Sequence, residues 1–191
     1  MRYVILTMTM TLDGFFCGPN GELDWMSPTP DQELNDDTVA FFQSVDQGFI
    51  GYPTARGMIP YWQGVAQNPS ASKQARAIAQ AVNALHPFIL SRQEEKLEWE
   101  HTELLVVKGD DDLVAAVNKI RQQPGRDLGV PGGIRTAQTF ARLGLIDEYA
   151  LTIHPVTIGK GQSVFTGRMN LELVRTKAYR SGVTRAWYRP R

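Results

Sequence analysis

The chain has 191 residues, and hydrophobic residues, which make up 42% of them, can form the core of one globular domain. Lysine plus arginine equals aspartate plus glutamate, 20 against 20, so the net charge gives no reason to expect binding to nucleic acid or to a membrane surface. A single cysteine, Cys17, excludes an internal disulfide, and three scattered histidines add no zinc site. We expect one domain over residues 1–191, without a metal, in which Cys17 is a small buried residue.

The amino-terminal segment predicts a strand rather than a targeting signal. Its short apolar run contains threonines, continues to Asp13 and has no small-residue cleavage site. No apolar stretch approaches the ~20 residues that a membrane helix needs. We therefore expect a cytoplasmic protein.

The first strand is predicted over residues 2–10, which are rich in Val, Ile, Leu, Thr and Met, a composition typical of a strand buried on both faces. Asp13 and Gly14 end this strand, and a glycine-rich loop leads from there to Trp25. Asp13 has two interpretations that the residues leave open. It either caps its own loop through backbone hydrogen bonds or faces a substrate.

A helix is predicted from Asp31 to Val45, with Asp31 as its N-cap or first-turn acid. The next elements are a short strand over residues 48–51, a turn-rich segment over 57–69, a helix over 70–85 and a buried strand over 88–90. Ser91 and Arg92 follow that last strand. A hydroxyl and a guanidinium at this position either bind a phosphate or belong to a surface turn.

Residues 104–107 predict another buried strand, and Asp110–Asp112 then begin a helix. Acids are stabilising at a helix start, so the triplet does not require a metal site. A strand over residues 128–130 leads into the Gly132–Gly133 pair, and a helix opens at Ile134. Glycines allow close backbone approach and a helix start attracts anions, so this segment, with Arg135 as an added cation, either binds a phosphate or forms a simple tight turn.

Gly144 ends this helix, and an alternating strand over residues 149–153 leads through Pro155 into the glycine turn 159–161. Two final strands are predicted over residues 171–177 and 182–188, joined as a hairpin. Strands that alternate with helices and end in an antiparallel pair predict an α/β fold. Its central sheet is mixed and mostly parallel, flanked by helices, with an antiparallel carboxyl-terminal hairpin.

Several short motifs follow one another along almost the whole chain: Thr11–Phe15, Asp24–Trp25, Ile50–Thr54, Ile89–Arg92, Val130–Gly133, Leu145–Glu148 and Pro155–Gly161 with Phe165. This ordered set resembles the carboxyl-terminal reductase domain of the bifunctional riboflavin-biosynthesis deaminase-reductase proteins, within the dihydrofolate-reductase-like family. The zinc deaminase signature, His-x-Glu with Pro-Cys-x-x-Cys, does not occur in the sequence. The resemblance is therefore to a stand-alone reductase domain.

The resemblance implies an NADPH-dependent oxidoreductase that acts on a small heterocyclic, pteridine- or pyrimidine-like substrate and forms a homodimer. It implies that the cofactor binds at Gly51, Thr54, Ser91, Arg92, Gly132, Gly133, Ile134 and Arg135. Trp25 and Phe165 would lie beside the substrate, and Asp13 would be the catalytic residue. In dihydrofolate reductases a helix carboxylate engages the substrate, and the acids of the corresponding helix here are Asp31, Glu33, Asp36 and Asp37.

Three positions depart from the family pattern. Tyr52 and Ala55 stand where relatives commonly have arginine and tyrosine, which leaves the choice between NADPH and NADH open. Pro131 stands where riboflavin-pathway reductases have glutamate, which argues against their ribosylamino-pyrimidine substrate. Three functions remain open: an orphan reductase of the family, a non-catalytic nucleotide- or ligand-binding module, and a true dihydrofolate reductase.

Overall fold

Eight strands and five helices make up the part of the chain that the computed structural model describes, residues 1–26 and 31–191. The strands are β1 (Val4–Thr11), β2 (Val45–Gly51), β3 (His86–Ser91), β4 (Glu103–Val106), β5 (Asp127–Val130), β6 (Glu148–His154), β7 (Leu171–Ala178) and β8 (Thr184–Pro190). The helices are α1 (Gln32–Ser44), α2 (Tyr52–Gln67), α3 (Lys73–Asn83), α4 (Asp110–Ile120) and α5 (Ile134–Arg142).

All eight strands belong to one sheet, in the order β4-β3-β2-β5-β1-β6-β8-β7. The first six strands of this order pair in parallel, whereas β8 pairs antiparallel with both β6 and β7. This confirms the predicted mixed, mostly parallel sheet with an antiparallel carboxyl-terminal hairpin. The carboxyl ends of the parallel strands meet at one edge, which is where ligands bind in open α/β sheets.

The helices divide between the two faces of the sheet. Right-handed crossovers place α1, α2 and α3 on one face and α4 and α5 on the other. The main core agrees with this division, because Val117 of α4 and Phe140 of α5 are fully buried in it against the strands. The ring of Phe49 lies 5.2 Å from that of Phe140 and 5.6 Å from that of Phe88. We refer to these two sides as the α1 face and the α5 face.

Strand β1 corrects the prediction of a strand buried on both faces. Its exposure alternates along the strand, because Val4, Leu6, Met8 and Met10 enter the main core on the α5 face. Thr7 and Thr9 lie on the α1 face and are only half-buried. Methionine and threonine alternate here, so the pattern is the period of two that belongs to a strand with one apolar face.

Helix α2 corrects the prediction of a turn-rich segment over residues 57–69. The helix begins next to Pro53, in the first turn, where the missing N–H of proline has no helical partner to lose. Pro60 lies inside the helix, and Gly57 has open space around it. Apolar side chains such as Met58 pack against the core of β2 and β3 and hold the helix in spite of these residues.

The other helices lie where they were predicted, although α3 spans only Lys73–Asn83 of the helix predicted over residues 70–85. The Asp31 carboxylate caps α1 by accepting a hydrogen bond from Leu34 N–H at 3.1 Å. The acids of Asp110–Asp112 form the first turn of α4, and α5 starts at Ile134 as expected. Gly144 follows α5 with a φ of 66°, the left-handed conformation that favours glycine.

The apolar residues of the final hairpin lie inside the chain's own core. Val183 packs with Leu34 of α1 and Tyr179, and Ala186 and Trp187 are buried. Cys17 is also buried, which confirms its interpretation as a small core residue. Within the described residues no helix is long and apolar enough to cross a membrane, and no group of acidic, histidine or cysteine side chains could hold a metal ion.

Candidate active site

Two helices begin side by side at the carboxyl edge of the sheet. Strand β2 ends at Gly51, the N-cap of α2, and the neighbouring β5 leads to Gly133, the N-cap of α5. Neither N-cap residue provides a side-chain hydrogen bond to its helix. The first N–H groups of both helices are therefore without a capping side chain, and both helix dipoles place positive charge at this edge.

The two helix starts fit against each other through glycine and threonine. A Cβ atom at Gly133 would lie 2.7 Å from Thr54 Oγ1 of α2, and one at Gly51 would lie 2.8 Å from Thr136 Oγ1 of α5. Gly133 also has a φ of 84°. Any larger residue at these positions would push the helix starts apart, so both glycines are needed for the close approach. We call this region the helix-start cradle, defined by Gly51, Thr54, Gly133 and Thr136.

The remaining residues predicted for a cofactor around α5 surround this cradle. Gly132 is buried directly before Gly133, Ile134 is half-buried in the first turn of α5, and Arg135 is exposed in the same turn. The structure therefore brings together the predicted group Gly51, Thr54, Gly132, Gly133, Ile134 and Arg135. Thr136 was missed by the sequence analysis, although its position in the first turn after a Gly-Gly pair is the signal that points to it.

Ser91 is the last residue of β3 and Arg92 follows it, and both lie next to the cradle because Leu90 of β3 pairs with Gly51 of β2. The Ser91 hydroxyl lies 3.2 Å from Glu95 Oε1, to which it donates, and accepts from Gln93 N–H at 3.3 Å. Arg92 is exposed. A phosphate at this place would have an unrestrained cation available from Arg92, whereas Ser91 would have to leave Glu95.

Asp110, at the start of α4, lies at the same edge and interacts with the positively charged Arg142 and Arg92. It accepts two hydrogen bonds from the Arg142 guanidinium, at 2.7 and 2.9 Å. This pairing lowers the pKa of the Asp110 carboxyl, and the charge of the nearby Arg92 contributes further in the same direction. Arg92 is thus within electrostatic reach of the start of α4.

Asp13, the predicted catalytic residue, links the loop after β1 to the turn at Ile158 and Gly159 through hydrogen bonds. Its Oδ1 accepts from Thr11 Oγ1 at 2.5 Å, and its Oδ2 accepts from the backbone N–H groups of Ile158 and Gly159, at 3.1 and 2.8 Å. The hydrogen bond from Thr11, supported by those from Gly159 and Ile158, lowers the pKa of Asp13. The backbone partners of Asp13 thus lie in a turn distant in sequence, whereas the loop-cap interpretation placed them in its own loop.

The acids of α1 are engaged as well. Asp31 accepts from Ser181 N–H at 3.0 Å in addition to capping its helix, and these backbone hydrogen bonds lower its pKa. Asp37 accepts from Lys177 Nζ at 2.5 Å and from Tyr179 Oη at 2.7 Å. Burial raises the pKa of Asp37, but these two hydrogen bonds outweigh it and leave the pKa below its usual range. The other two acids also have partners: Glu33 pairs with Lys177 at 3.0 Å, and Asp36 accepts from Gln32 Nε2 at 2.6 Å.

A polar stripe crosses the α1 face where β1 and β6 run side by side. Thr9 is paired with Thr152, and Thr11 with His154, at the carboxyl end of both strands. Thr152 Oγ1 accepts from Arg185 Nε at 2.9 Å, and Arg185 also donates to Thr38 of α1, which fixes the side of the sheet on which these residues lie. We define Thr7, Thr9, Thr152 and His154 as the polar stripe.

Trp25 lies at the end of the polar stripe. Its ring meets that of His154 edge-on, with centroids 5.7 Å apart and an interplanar angle of 72°. Burial lowers the pKa of His154 and so favours its neutral imidazole. No role for His154 is predicted from the sequence motifs, although a histidine that ends a strand at the ligand-binding edge is a signal that could have identified it.

Phe165 lies elsewhere. Its ring packs 5.6 Å from that of Tyr149, whose side chain belongs to the main core on the α5 face. Side chains alternate along β6, so Tyr149 and His154 point to opposite faces. The structure therefore brings Trp25 to the polar stripe but separates it from Phe165, the second residue predicted to contact the substrate.

The fold assembled from these elements is that of the dihydrofolate-reductase-like proteins. Dihydrofolate reductase from Enterococcus faecalis, in a complex with NADP(H), aligns with a TM-score of 0.60 at 14% identity over 98% of this chain and 96% of that chain. A Thermotoga maritima diaminohydroxyphosphoribosylaminopyrimidine deaminase/5-amino-6-(5-phosphoribosylamino)uracil reductase aligns with a TM-score of 0.65 at 16% identity, over all of this chain and 57% of that one.

Sequence comparison gives the family itself. Residues 2–184 match the RibD C-terminal domain family, and the chain therefore belongs to that family. The uncharacterized protein YyaP of Bacillus subtilis (strain 168) is 31% identical over 191 residues, which cover 98% of this chain and 94% of YyaP. Family membership supports a reductase-type role, in agreement with the resemblance noted in the sequence.

Proposed function

We propose that the protein is an NADPH-dependent reductase of a small heterocyclic substrate. The observation that carries this proposal is the helix-start cradle, in which two uncapped helix N-termini meet across Gly51 and Gly133. A cradle that a Cβ atom would fill, with N–H groups and dipoles directed at it, suits the pyrophosphate of a dinucleotide. The residues present therefore fit the cofactor that the family implies.

Each part of the edge would hold one part of the nucleotide. The N–H groups at the starts of α2 and α5 would donate to the pyrophosphate, and the hydroxyls of Thr54 and Thr136 lie at the same place. Arg92, exposed beside the end of β3, would bind the 2′-phosphate of the adenosine half. This last contact would replace the arginine that relatives have at the position of Tyr52.

The nicotinamide ring supplies a hydride when the cofactor is bound, and the chain contributes position and surroundings. The polar stripe runs along β1 and β6 to their carboxyl ends, where Trp25 lies. Both strands are beyond β5 in the sheet order when counted from the side of Arg92. An extended dinucleotide that crosses the cradle would thus reach this surface with its nicotinamide end. The substrate would bind there, on the α1 face.

A nucleotide titration tests the proposal. We expect NADPH to bind with higher affinity than NADH, followed through nicotinamide fluorescence of the purified protein. The substitution Arg92→Ala should weaken NADPH binding about tenfold, since a charged hydrogen bond to phosphate is lost, and leave NADH binding unchanged. NADH thus serves as the control for folding and for the rest of the site.

The outcomes separate the candidate functions. Failure of both nucleotides to bind at millimolar concentration would exclude hydride transfer as the function. Binding of NADPH without its oxidation by any heterocyclic carbonyl or imine compound would favour the alternative of a non-catalytic binding module on the same fold.

A further inference from the structure

The Trp25 side chain has an unused hydrogen-bond donor. Among residues 1–26 and 31–191, its Nε1 is the one buried side-chain nitrogen or oxygen without a hydrogen-bond partner. Burying a donor without an acceptor is unfavourable, and such groups in folded proteins call for an explanation. One explanation is that a bound ligand supplies the acceptor, because Trp25 lies at the ligand-binding edge of the sheet.

His154 is the titratable group beside this donor, and no hydrogen bond is made by its imidazole within the described residues either. Its ring contacts the edge of Trp25. Two carboxylates that the resemblance would bring to the substrate are already engaged, because Asp13 holds the turn at Ile158 and Gly159 and Asp37 is paired with Lys177. In place of these two carboxylates, an indole N–H and an imidazole are available to a ligand.

The sheet surface beside Trp25 and His154 carries polar side chains where apolar ones are usual. Thr7 and Thr9 are half-buried near the centre of the sheet, on a face where a core would ordinarily place apolar side chains. Thr9 of β1 pairs directly with Thr152 of β6, and His154 follows two residues later on the same face of β6. A planar ligand lying along the polar stripe could contact these hydroxyls and reach both Trp25 Nε1 and the imidazole.

We propose that Trp25 and His154 form the substrate-contacting pair of this reductase. In this arrangement the Trp25 N–H donates to an acceptor atom of the heterocycle, and the His154 imidazole exchanges a second hydrogen bond with the same ring. The inference rests on the proposed function for the identity of the site as a substrate site. It assigns a role to His154, and it replaces the expectation that a carboxylate of α1 or Asp13 makes this contact.

Equilibrium binding of lumazine, a fluorescent pteridine with two ring carbonyl groups, tests the proposal. Lumazine is titrated into nucleotide-free protein and into protein saturated with NADP⁺, and NADPH binding is measured on the same samples. We expect Trp25→Phe, which keeps an aromatic ring and removes the N–H, to weaken lumazine binding about tenfold. His154→Gln should do the same, with NADPH binding unchanged within about twofold for both variants.

Matched controls are available in the chain. His86 lies exposed at the amino end of β3, at the opposite edge of the sheet, and Trp62 lies on α2 with its ring against Tyr61. The variants His86→Gln and Trp62→Phe should bind lumazine like the unmodified protein. In addition, the carbon-bound proton signals of the His154 imidazole, assigned in the NMR spectrum by their loss in His154→Gln, should shift when lumazine is added.

The outcomes distinguish this inference from the proposed function. Absence of lumazine binding at millimolar concentration, equal binding by all four variants, or an unmoved His154 signal would overturn the substrate-contacting pair while retained NADPH binding leaves the reductase proposal standing. Conversely, lumazine binding that depends on Trp25 and His154 in a protein that binds no nucleotide would support the pair and overturn the reductase.

Discussion

Three aspartates near the candidate substrate surface hold separate segments of the chain together. Asp13 joins the end of β1 to the turn at Ile158 and Gly159, Asp31 joins α1 to Ser181, and Asp37 joins α1 to β7 through Lys177. Each has a pKa below its usual range, because hydrogen bonds stabilise the ionised form. A carboxylate with these properties is a poor proton donor at neutral pH, which is why the unengaged pair of Trp25 and His154 is the better place to look for substrate contacts.

Two phenols, one of them bound to Asp37, have raised pKa values that can be measured. Burial, together with the hydrogen bond to Asp37, raises the pKa of Tyr179 to about 12, and burial raises the pKa of Tyr149 to about 12. A raised pKa favours the neutral phenol in the folded state, so its contribution to stability is complete below pH ~10 and is lost as the pH rises toward 12. We expect two late phenolate transitions in the ultraviolet absorbance.

The substitutions Tyr149→Phe and Tyr179→Phe should each remove one late transition. They should also make the free energy of unfolding less dependent on pH between ~10 and 12, as measured by urea titration at several pH values. Ionisation of both phenols near pH 10 in the folded protein would contradict the packing and hydrogen bonding described for them.

Helix α2 shows at the scale of an element how local and tertiary preferences compete. Proline and glycine disfavour a helix interior, and both occur here, at Gly57, Pro60 and Gly64. These residues point away from the core, with open space around Gly57 and Gly64, while Met58 and Ile59 pack against β2 and β3. Burial of the apolar side chains therefore stabilises the helix more than the interior proline and glycines destabilise it.

Substitutions on the outer side of α2 should stabilise the protein. Gly64→Ala adds a methyl group in open space and reduces the entropy of the unfolded chain, so we expect a gain of about 0.5–1 kcal/mol. Pro60→Ala restores a backbone N–H to the helix interior and should raise the free energy of unfolding by about 1–3 kcal/mol. Urea denaturation measures both, and a loss of stability in either variant would show that the segment is held by something other than a regular helix.

The same comparison explains what could be predicted from the sequence and what could not. Most helices and strands were predicted because their signals are local, such as the Asp31 cap, the acids before α4 and Gly144 after α5. Helix α2 was missed because its decisive contacts are tertiary. The methionine–threonine alternation of β1 was present in the sequence and was misread as burial on both faces.

Within the candidate site, local sequence motifs predict the start of α5 but not the contacts between distant segments. Gly132, Gly133 and Ile134 form a continuous segment, so their role at a helix start follows from the sequence. The contact between Trp25 and His154, and the close approach of Thr54 to Gly133, join residues that are far apart in the chain. Such pairs depend on the order of strands in the sheet, and a single sequence carries no direct signal for them.

On the scale of the whole molecule, the proposed nucleotide site and the proposed substrate site lie on different strands of the sheet. The helix starts after β2 and β5 and the end of β3 form one side of the edge, and the ends of β1 and β6 form the other. The homodimer that the resemblance implies stays a prediction. The apolar residues of β8 are buried within the chain, so an interface at this end would use β7, which ends the sheet and exposes Leu173 and Val174.

The central claim is that a dinucleotide binds where the two helix starts meet, and a pair of glycine substitutions tests it most directly. Gly133→Ala places a methyl group 2.7 Å from Thr54 Oγ1 at a φ of 84°, whereas Gly144→Ala adds one at a φ of 66° with nothing within 4 Å. Both variants carry the cost of a positive φ, about 1 kcal/mol.

NADPH affinity of these two variants, measured by nicotinamide fluorescence beside their melting temperatures, is therefore the decisive measurement. We expect Gly133→Ala to lose at least as much thermal stability as Gly144→Ala, because its methyl group also meets Thr54, and we expect only Gly133→Ala to lose NADPH affinity, by about tenfold or more. Equal NADPH affinity in Gly133→Ala, Gly144→Ala and the unmodified protein would contradict the cradle as the cofactor site.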